Sequence, residues 1–364
     1  MKKILTVIGT RPQYIKYAAL YRNLRKYFNE VLVDTGQHYS RNMSENLISE
    51  LEIPYPHYLL GANDTDQLKQ ISAIMLGLGK VISRHKPEML ICFGDTNSAL
   101  SAALTSVKFS IPVVHIEAGE RNFDRNFKRV KSYTIPEEAN RIIIDSVSAH
   151  LICASEQARK NLIRENITGN VFHAGDIMYD LYLRRIKNVI RNKAVLRKYN
   201  LTSKNYFYAT IHRAINTDNP RRLEVFYNVF KNIEKTIILP LHPRTLKQLK
   251  KFSLLRKYLS LKNLIITEPL GYDVSLCLNF HSTFVLTDSG GVVREAYFNG
   301  VPSVMLDDTS EWLDIYISGW SAIAGSDENM ILSFIRKFRQ PSASPNFFGD
   351  GRAAAKIVNY LKKC

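Results

Sequence analysis

The chain is poor in cysteine and has no long apolar stretch. Four cysteines in 364 residues are too few for a disulfide scaffold, and their spacing matches no zinc site. No run reaches the roughly 20 apolar residues of a membrane span. Two lysines precede the apolar run Ile4–Ile8 as in a signal peptide, but the run stops at Gly9. We therefore expect a first strand here, a cytoplasmic protein and no integral membrane segment.

Length and composition favour two globular domains. The 364 residues exceed one ordinary core, and the hydrophobic and charged contents of 45% and 23% are average for soluble proteins. These values exclude a disordered chain or a collagen-like rod.

The chain carries an excess of positive charge, with a formal net charge of +17. Such an excess raises the question of nucleic acid, an anionic membrane surface or an acidic substrate. Two clusters, Arg184–Lys198 and Arg244–Lys262, have the pattern of solvated helical faces, and a third comprises Arg121, Arg125, Lys128, Arg129 and Lys131. No nucleic-acid module accompanies them, so we expect no nucleic-acid partner.

Short β-branched runs alternate with helix-length segments in both halves of the chain. The predicted strands are Ile4–Ile8, Val31–Val33, Met89–Cys92, Val113–Ile116, Leu151–Cys153, Val171–Phe172, Tyr206–Ile211, Thr236–Leu239, Leu264–Thr267, Phe284–Leu286 and Ser303–Leu306. This alternation predicts an α/β fold of two Rossmann-like, doubly wound domains facing a central cleft. We place the first domain at residues 1–176 and the second at 177–350, with a terminal helix in 351–364 that packs back on the first domain.

Polar residues follow the predicted strands of the first half, where ligands bind in open α/β sheets. The first strand leads into Arg11 and Lys16, two cations near a helix N-terminus. Asp95 and Glu117 follow two further strands, although an aspartate here could instead cap the next helix. Glu137 opens another helix, where the helix dipole alone favours an acid.

In the second half, residues of types that bind anions stand at the ends of the predicted strands. His212-Arg213 and His242-Pro243-Arg244 end successive strands, and Ser289-Gly290-Gly291 opens a helix that contains Glu295. A helix N-terminus with glycines and a hydroxyl suits a phosphate. Because the segment is not G-x-G-x-x-G, a nicotinamide enzyme is disfavoured. The sum predicts an enzyme that handles a nucleotide-activated substrate.

The ordered motifs resemble the non-hydrolysing UDP-N-acetylglucosamine 2-epimerase family, which has the GT-B fold. They span almost the whole chain: Gly9–Pro12, Thr35–Tyr39, Gly94–Ser98, His115–Gly119, Pro136–Arg141, His212–Ala214, Leu239–Arg244 and Thr287–Gly291. The resemblance implies a UDP-sugar 2-epimerase that inverts C2 by eliminating UDP to an unsaturated glycal and re-adding it. The product would supply a surface polysaccharide. It implies a homodimer, and no metal or redox cofactor.

The resemblance also implies roles for individual residues. Asp95, Glu117 and Glu137 match the catalytic acids, and either of the first two could be the base that removes the C2 proton. Residues implied in binding are Arg11, Lys16 and His212 for the diphosphate, Ser289, Gly290 and Gly291 for phosphate, Glu295 for the ribose, and the Glu268–Tyr272 turn with Leu270 for the uracil. His212 is also expected to take part in catalysis, and His242 and Arg244 in binding UDP.

Several positions depart from the family pattern. Ile215 replaces the acid of His-Arg-x-Glu-Asn, Asp307 replaces an arginine, and Ala73 stands where allosteric members carry arginine. About eight extra residues precede Pro136, and their charge is basic. We expect them to lie over the cleft and to bind an extra negative charge on the sugar, with a disordered, solvated loop as the alternative. A glycosyltransferase, a UDP-sugar hydrolase and a non-catalytic UDP-sugar sensor stay as alternatives.

Overall fold

The computed structural model describes residues 1–37 and 41–364, and the side chains outside residues 38–44. The strands are β1 (Lys3–Ile8), β2 (Asn29–Asp34), β3 (Tyr58–Leu59), β4 (Met89–Phe93), β5 (Val113–Ile116), β6 (Phe123–Asp124), β7 (His150–Cys153), β8 (Asn170–His173), β9 (Tyr206–Thr210), β10 (Thr236–Pro240), β11 (Leu264–Thr267), β12 (Phe284–Thr287), β13 (Ser303–Met305), β14 (Thr309–Ser310) and β15 (Ser321–Ile323).

The helices alternate with these strands. They are α1 (Arg11–Tyr27), α2 (Arg41–Glu50), α3 (Gln67–His85), α4 (Asn97–Lys108), α5 (Pro136–Val147), α6 (Glu156–Arg164), α7 (Ile177–Val189), α8 (Ala194–Lys198), α9 (Ala214–Thr217), α10 (Pro220–Lys231), α11 (Pro243–Lys251), α12 (Leu255–Leu259), α13 (Tyr272–His281), α14 (Gly290–Phe298), α15 (Leu313–Ile317), α16 (Glu328–Lys337) and α17 (Ala353–Leu361). Among the helices described, none is long and apolar enough to cross a bilayer.

The chain forms two compact units. The first comprises Met1–Arg121, Lys131–Arg184 and Asn346–Cys364, and the second comprises Asn122–Val130 and Arg185–Pro345. These units differ from the expected bounds because α7 stays with the first unit to residue 184 and because residues 122–130 join the second.

The first unit is built on a parallel seven-stranded sheet of order β3-β2-β1-β4-β5-β7-β8. The strand order reverses between β1 and β4, which is the position where ligands bind in this kind of sheet. Helix α17 packs on α1, and the Asp180 carboxylate on α7 accepts from the backbone N–H groups of Ala353 and Ala354 at 3.1 and 2.8 Å. The last helix is thereby tied to the first unit.

The second unit has a parallel six-stranded sheet of order β11-β10-β9-β12-β13-β15. Successive residues of β9 pack into different apolar clusters: Tyr206 and Tyr208 into one, Phe207 and Ala209 into the other. Because side chains alternate along a strand, both faces of the sheet are covered. The predicted α/β class with two parallel, doubly wound sheets is confirmed.

Part of the extra basic stretch forms a short ordered hairpin in the second unit. Asp124 N donates to Lys128 O at 2.9 Å, and Val130 N donates to Asn122 O at 3.0 Å. Strand β6 then pairs antiparallel with β14. This pairing could not be predicted, because a strand of two residues has no recognisable sequence pattern. The reading of this stretch as a solvated loop without structure is wrong for residues 122–130.

Candidate active site

Three neighbouring strands of the first unit end in the polar residues expected from the sequence. β1, β4 and β5 lie side by side, and Phe93 pairs directly with Ile116. Gly94 and Glu117 are therefore the first residues beyond the sheet, and Asp95 is the next. Parallel strands present their carboxyl ends at one edge, so the two carboxylates share that edge.

The Glu117 carboxylate forms an ion pair with the Lys16 ammonium, and both side chains are largely buried, at 11% and 7% exposure. Glu117 has a φ of 72°, a left-handed conformation that is strained for a residue with a side chain. Gly94, with a φ of 65°, lies so close that a side-chain carbon there would stand 3.1 Å from Lys16 Nζ. The close approach and the conformation both require glycine at this position.

The Asp95 carboxylate forms an ion pair with the Arg141 guanidinium of α5. Asn140 Nδ2 also donates to the Asp95 carbonyl at 2.8 Å. Helix α4 is capped by Thr96, whose hydroxyl accepts from Ala99 N, so the alternative reading of Asp95 as the cap is wrong. Asp95 is instead held at the strand end by α5.

The acids in the first turn of α5 lie in opposite environments. Glu137 is exposed, whereas Glu138 is fully buried and its Oε2 accepts from Arg141 Nη1 at 3.2 Å. The role of Glu137 stays a prediction. Arg141 was missed as a site residue, although it stands in the quoted Pro136–Arg141 motif, because no local pattern shows which carboxylate it meets.

The remaining residues expected at this edge are placed as follows. Arg11 is the first residue of α1 and is half-buried, and Gln37 Oε1 accepts from Ser98 N at 2.9 Å. His38 and Tyr39 of the Thr35–Tyr39 motif lie outside the described residues.

In the second unit, a fully buried carboxylate organises the strand ends. Asp288, directly after β12, accepts from the backbone N–H groups of His212 and Arg213 at 2.9 and 2.8 Å and from Asn216 Nδ2 at 3.0 Å. The same carboxylate lies 3.2 Å from His212 Nδ1. The His212 ring is thus oriented by the strand beside it.

Arg213 and Arg244 each contact an acid. Arg213 pairs with Asp307 at 2.8 Å, so the departure at Asp307 supplies a partner inside this chain. Partial burial alone would lower the pKa of Arg213, but nearby acids raise it overall. Arg244 pairs with Asp218, and its Nε donates to Thr217 Oγ1 at 3.0 Å.

His242 begins α11 as its cap, accepting from Arg244 N at 3.2 Å, and its ring lies 5.8 Å from that of His212. The expected histidines of neighbouring strand ends are therefore brought together.

Helix α14 begins at the expected glycines. Ser289 caps it by accepting from Val292 N at 3.4 Å, and Gly290 and Gly291 form its first turn. A side-chain carbon at Gly290 would stand 2.9 Å from Trp312 Nε1 and would overlap Glu311. The glycine is thus required by packing within the unit, a reason beyond the phosphate approach expected from sequence.

Two further predicted residues lie near this helix. Glu295 is buried in the body of α14, and Leu270 packs against the apolar cluster that contains Tyr208 and Leu278. Their roles toward a ribose and a uracil stay predictions.

The two sets of residues suit different tasks. The first unit offers two carboxylates that face buried cations, an arrangement for proton transfer beside a negatively charged leaving group. The second offers a helix N-terminus and histidines for an anion. Across the described residues, no three His, Cys, Asp or Glu side chains cluster as metal ligands would.

Comparison with known proteins gives a consistent result. The family model for UDP-N-acetylglucosamine 2-epimerase matches residues 22–362. The chain is 38% identical to the UDP-N-acetylglucosamine 2-epimerase homolog of Methanococcus maripaludis, over 99% of both chains. It is 34% identical to the UDP-2,3-diacetamido-2,3-dideoxy-D-glucuronate 2-epimerase of Pseudomonas aeruginosa, again over 99% of both.

A solved structure agrees over the whole chain. The crystal structure of the Methanocaldococcus jannaschii UDP-GlcNAc 2-epimerase, in complex with UDP-GlcNAc and UDP, is 34% identical and has a TM-score of 0.91, with all of each chain covered. The expected GT-B type of α/β fold is confirmed by this similarity.

Proposed function

The chain belongs to the UDP-N-acetylglucosamine 2-epimerase family, and on this basis we propose that it inverts C2 of UDP-N-acetylglucosamine or a related UDP-2-acetamido sugar. The reaction eliminates UDP to an unsaturated glycal and re-adds it after a proton has been delivered to the other face. The product supplies a surface polysaccharide. The chain's relatives act on UDP-sugars, and no feature of the chain favours a transferase or a hydrolase over them.

One observation carries this proposal: two carboxylates stand at neighbouring strand ends, and each faces a buried cation. Glu117 meets Lys16, and Asp95 meets Arg141. Inversion needs one group to remove a proton from C2 and another to return one, and we assign these tasks to Asp95 and Glu117. Glu137 and His212 are assigned supporting catalytic roles, as the family motifs imply.

Binding of the nucleotide is assigned unit by unit. In the first unit, Arg11 and Lys16 offer positive charge to the diphosphate. In the second, we assign phosphate to the N-terminus of α14, from Ser289 to Gly291, with His212 beside it on the next strand.

The nucleoside portion is assigned to the second unit as well. Glu295 is assigned to the ribose hydroxyls and Leu270 to the uracil. His242 and Arg244 are assigned to UDP, and Arg244 must share or give up its contact with Asp218 to take part.

A charged sugar is the second candidate substrate. The relative from Pseudomonas aeruginosa is named for a diacetamido glucuronate, an anionic sugar. Arg125, Lys128, Arg129 and Lys131, which we call the basic segment (residues 125–131), are all exposed. Arg121 does not belong with them, contrary to the sequence-based grouping, because it is fully buried and paired with Asp145. The exposed cations suit a carboxylate on the substrate.

Incubation of the pure protein with UDP-N-acetylglucosamine in deuterated water tests the reaction. We expect deuterium at C2 and a manno product by NMR, because re-protonation draws on solvent. Free UDP with released sugar would indicate a hydrolase, and an unchanged substrate would indicate a transferase or a sensor. The same experiment with a UDP-acetamidouronate ranks the two candidate substrates.

We propose a homodimer formed through α3 and α4. Leu68, Leu76, Val107 and Phe109 are large apolar residues exposed in this region, with exposed fractions between 42% and 76%. Exposed apolar residues grouped in one region are typical of an interface. Lys80, Arg84 and Lys108 border the groove beside Leu76, where we expect the solvated rim.

We also propose that the enzyme works in the cytoplasm. Of its cysteines, Cys92, Cys153 and Cys277 are buried free thiols and Cys364 is an exposed one. Free thiols suit a reducing compartment. Cell fractionation checks this location.

A further inference from the structure

A group of fully buried charged side chains lies beneath the ends of β4 and β5 in the first unit. His115 Nδ1 is 2.7 Å from Asp145 Oδ1, and His115 Nε2 is 2.8 Å from the Gly94 carbonyl oxygen. Asp145 Oδ2 also meets Arg121 Nη1 at 2.7 Å and Gly119 N at 3.1 Å. The side chains of His115, Asp145 and Arg121 are 0% exposed. From the sequence, we assigned no functional role to these three residues.

The His115 ring bridges two groups near the strand ends. One ring nitrogen contacts the Gly94 carbonyl, which is an acceptor only, and the other contacts the Asp145 carboxylate. Burial alone would raise the pKa of Asp145, but its contacts with His115 and Arg121 lower that pKa overall.

Arg121 contacts a second carboxylate beside Asp145. Its guanidinium donates to Glu165, with Nε 2.9 Å from Oε1 and Nη2 2.6 Å from Oε2. These contacts offset the cost of removing the guanidinium from water. Cys92 stands beside His115 on β4 as a neutral thiol, because burial and then Asp145 raise its pKa.

The cluster fixes the backbone on both sides of the proposed catalytic carboxylates. His115 holds the carbonyl of Gly94, the residue before Asp95, and Asp145 holds the N–H of Gly119, two residues after Glu117. Gly94, Glu117 and Gly119 all have positive φ values, of 65°, 72° and 82°. The two glycines adopt this conformation freely, whereas at Glu117 it persists only where surrounding contacts enforce it.

Helix α5 joins this cluster to the carboxylates directly. Arg141, which pairs with Asp95, stands four residues before Asp145, and residues four apart share one helix face. One face of α5 therefore contacts the Asp95 side chain and the turn after Glu117.

We propose that His115 is a positioning residue that holds the turns carrying Asp95 and Glu117 in their reactive arrangement. The part of this statement that concerns reactivity rests on the proposed epimerase function. The part that concerns the backbone contacts does not, so the two can fail separately.

Hydrogen–deuterium exchange tests the positioning without turnover. The Gly119 N–H, which donates to Asp145 Oδ2, should be protected in the wild-type protein and should exchange faster in His115→Gln, because Asp145 then loses its contact with the ring. His150→Gln should keep the wild-type protection. Equal protection of Gly119 in the wild type and in His115→Gln would overturn the proposal, whether or not the protein turns over a UDP-sugar.

Kinetics of His115→Gln test the positioning. Glutamine can donate to the Gly94 carbonyl but supplies no second donor for Asp145. We expect kcat to fall about 10- to 100-fold, the range seen when groups that orient functional ligands are removed, with KM within about twofold. His150→Gln is the matched control, since His150 is hydrogen-bonded to Tyr360 in the same unit, and should keep wild-type kcat. Wild-type kcat in His115→Gln would overturn the positioning role.

Discussion

At the scale of single residues, the two carboxylates at the strand ends are distinguished by their surroundings. Glu117 is held in a left-handed conformation beside a buried lysine, and Asp95 is more exposed beside an arginine. Two carboxylates in different surroundings suit the two proposed tasks, in which one group removes the C2 proton and the other returns one.

If Asp95 and Glu117 transfer the protons, Asp95→Asn and Glu117→Gln should each lower kcat by about 10²–10⁴-fold. UDP affinity should stay nearly unchanged, because the amides keep the shape of the acids. Turnover and calorimetry measure the two quantities. Glu224→Gln, at an acid paired with Lys257 on the surface of the second unit, is the control. Full activity in both variants would remove these residues from the mechanism.

Glu295 offers a test of nucleotide binding. We assign the carboxylate to hydrogen bonds with two ribose hydroxyls. Glu295→Ala should therefore weaken UDP binding by about 1–3 kcal/mol, as expected for loss of a charged hydrogen-bonding partner. Isothermal calorimetry measures the change, with Glu328→Ala on the surface of α16 as control. Unaltered affinity would mean that the nucleotide binds elsewhere.

Asp145 makes the stability of the folded protein depend on pH. Its pKa is lowered in the folded protein, so it contributes stability above its unfolded pKa of about 4 that is lost as pH falls through the folded value. Asp145→Asn should lower the free energy of unfolding at pH 7 by about 3–5 kcal/mol, because the buried Arg121 and His115 lose a partner, and should flatten its decline in acid. Urea unfolding at pH 7 and at several pH values below about 4 measures both effects.

The control for this prediction is Asp350→Asn. Lys356 lowers the pKa of Asp350 too, but this pair is exposed, so its loss should hardly change stability. Equal acid dependence in wild type and Asp145→Asn would show that the buried carboxylate does not titrate with folding.

At the scale of secondary-structure elements, α3 and α4 leave apolar side chains in contact with water. Leu76→Glu should convert the proposed dimer to a monomer, because two copies would bury the introduced carboxylates without partners. Light scattering after size exclusion reads the mass. Leu259→Glu changes a leucine of similar exposure, 62% against 71%, on α12 of the second unit and should leave the dimer intact. A wild-type monomer, or a Leu76→Glu dimer, would contradict the assignment.

At the scale of the whole molecule, the main sheets were visible in sequence because their strands are buried runs of β-branched residues. The short strands β3, β6, β14 and β15 left no such signal. The sequence position of Asp95 and Glu117 after predicted strands was enough to place them at one edge of the sheet. Their ion pairs with Arg141 and Lys16 could not be predicted, because pairs across 46 and 101 positions have no local sequence pattern.

The passage of residues 122–130 into the second unit was also beyond sequence reasoning. It depends on the pairing of β6 with β14 and on a hydrogen bond of 2.9 Å from Asn122 Nδ2 to Thr309 Oγ1. An ordered hairpin presents its charges to a ligand at a lower entropic cost than a free loop.

The basic segment should therefore select between substrates. Changing Arg125, Lys128, Arg129 and Lys131 together to Gln should lower kcat/KM for a UDP-acetamidouronate at least about tenfold more than for UDP-N-acetylglucosamine, or about 1.4 kcal/mol, because only the former offers a carboxylate to these cations. The same charge change at Arg197, Lys198, Lys250 and Lys251, all exposed in the second unit, controls for net charge and should not discriminate. Equal losses on both substrates would leave the segment without a role in recognition, since a general electrostatic effect acts on the diphosphate that both share.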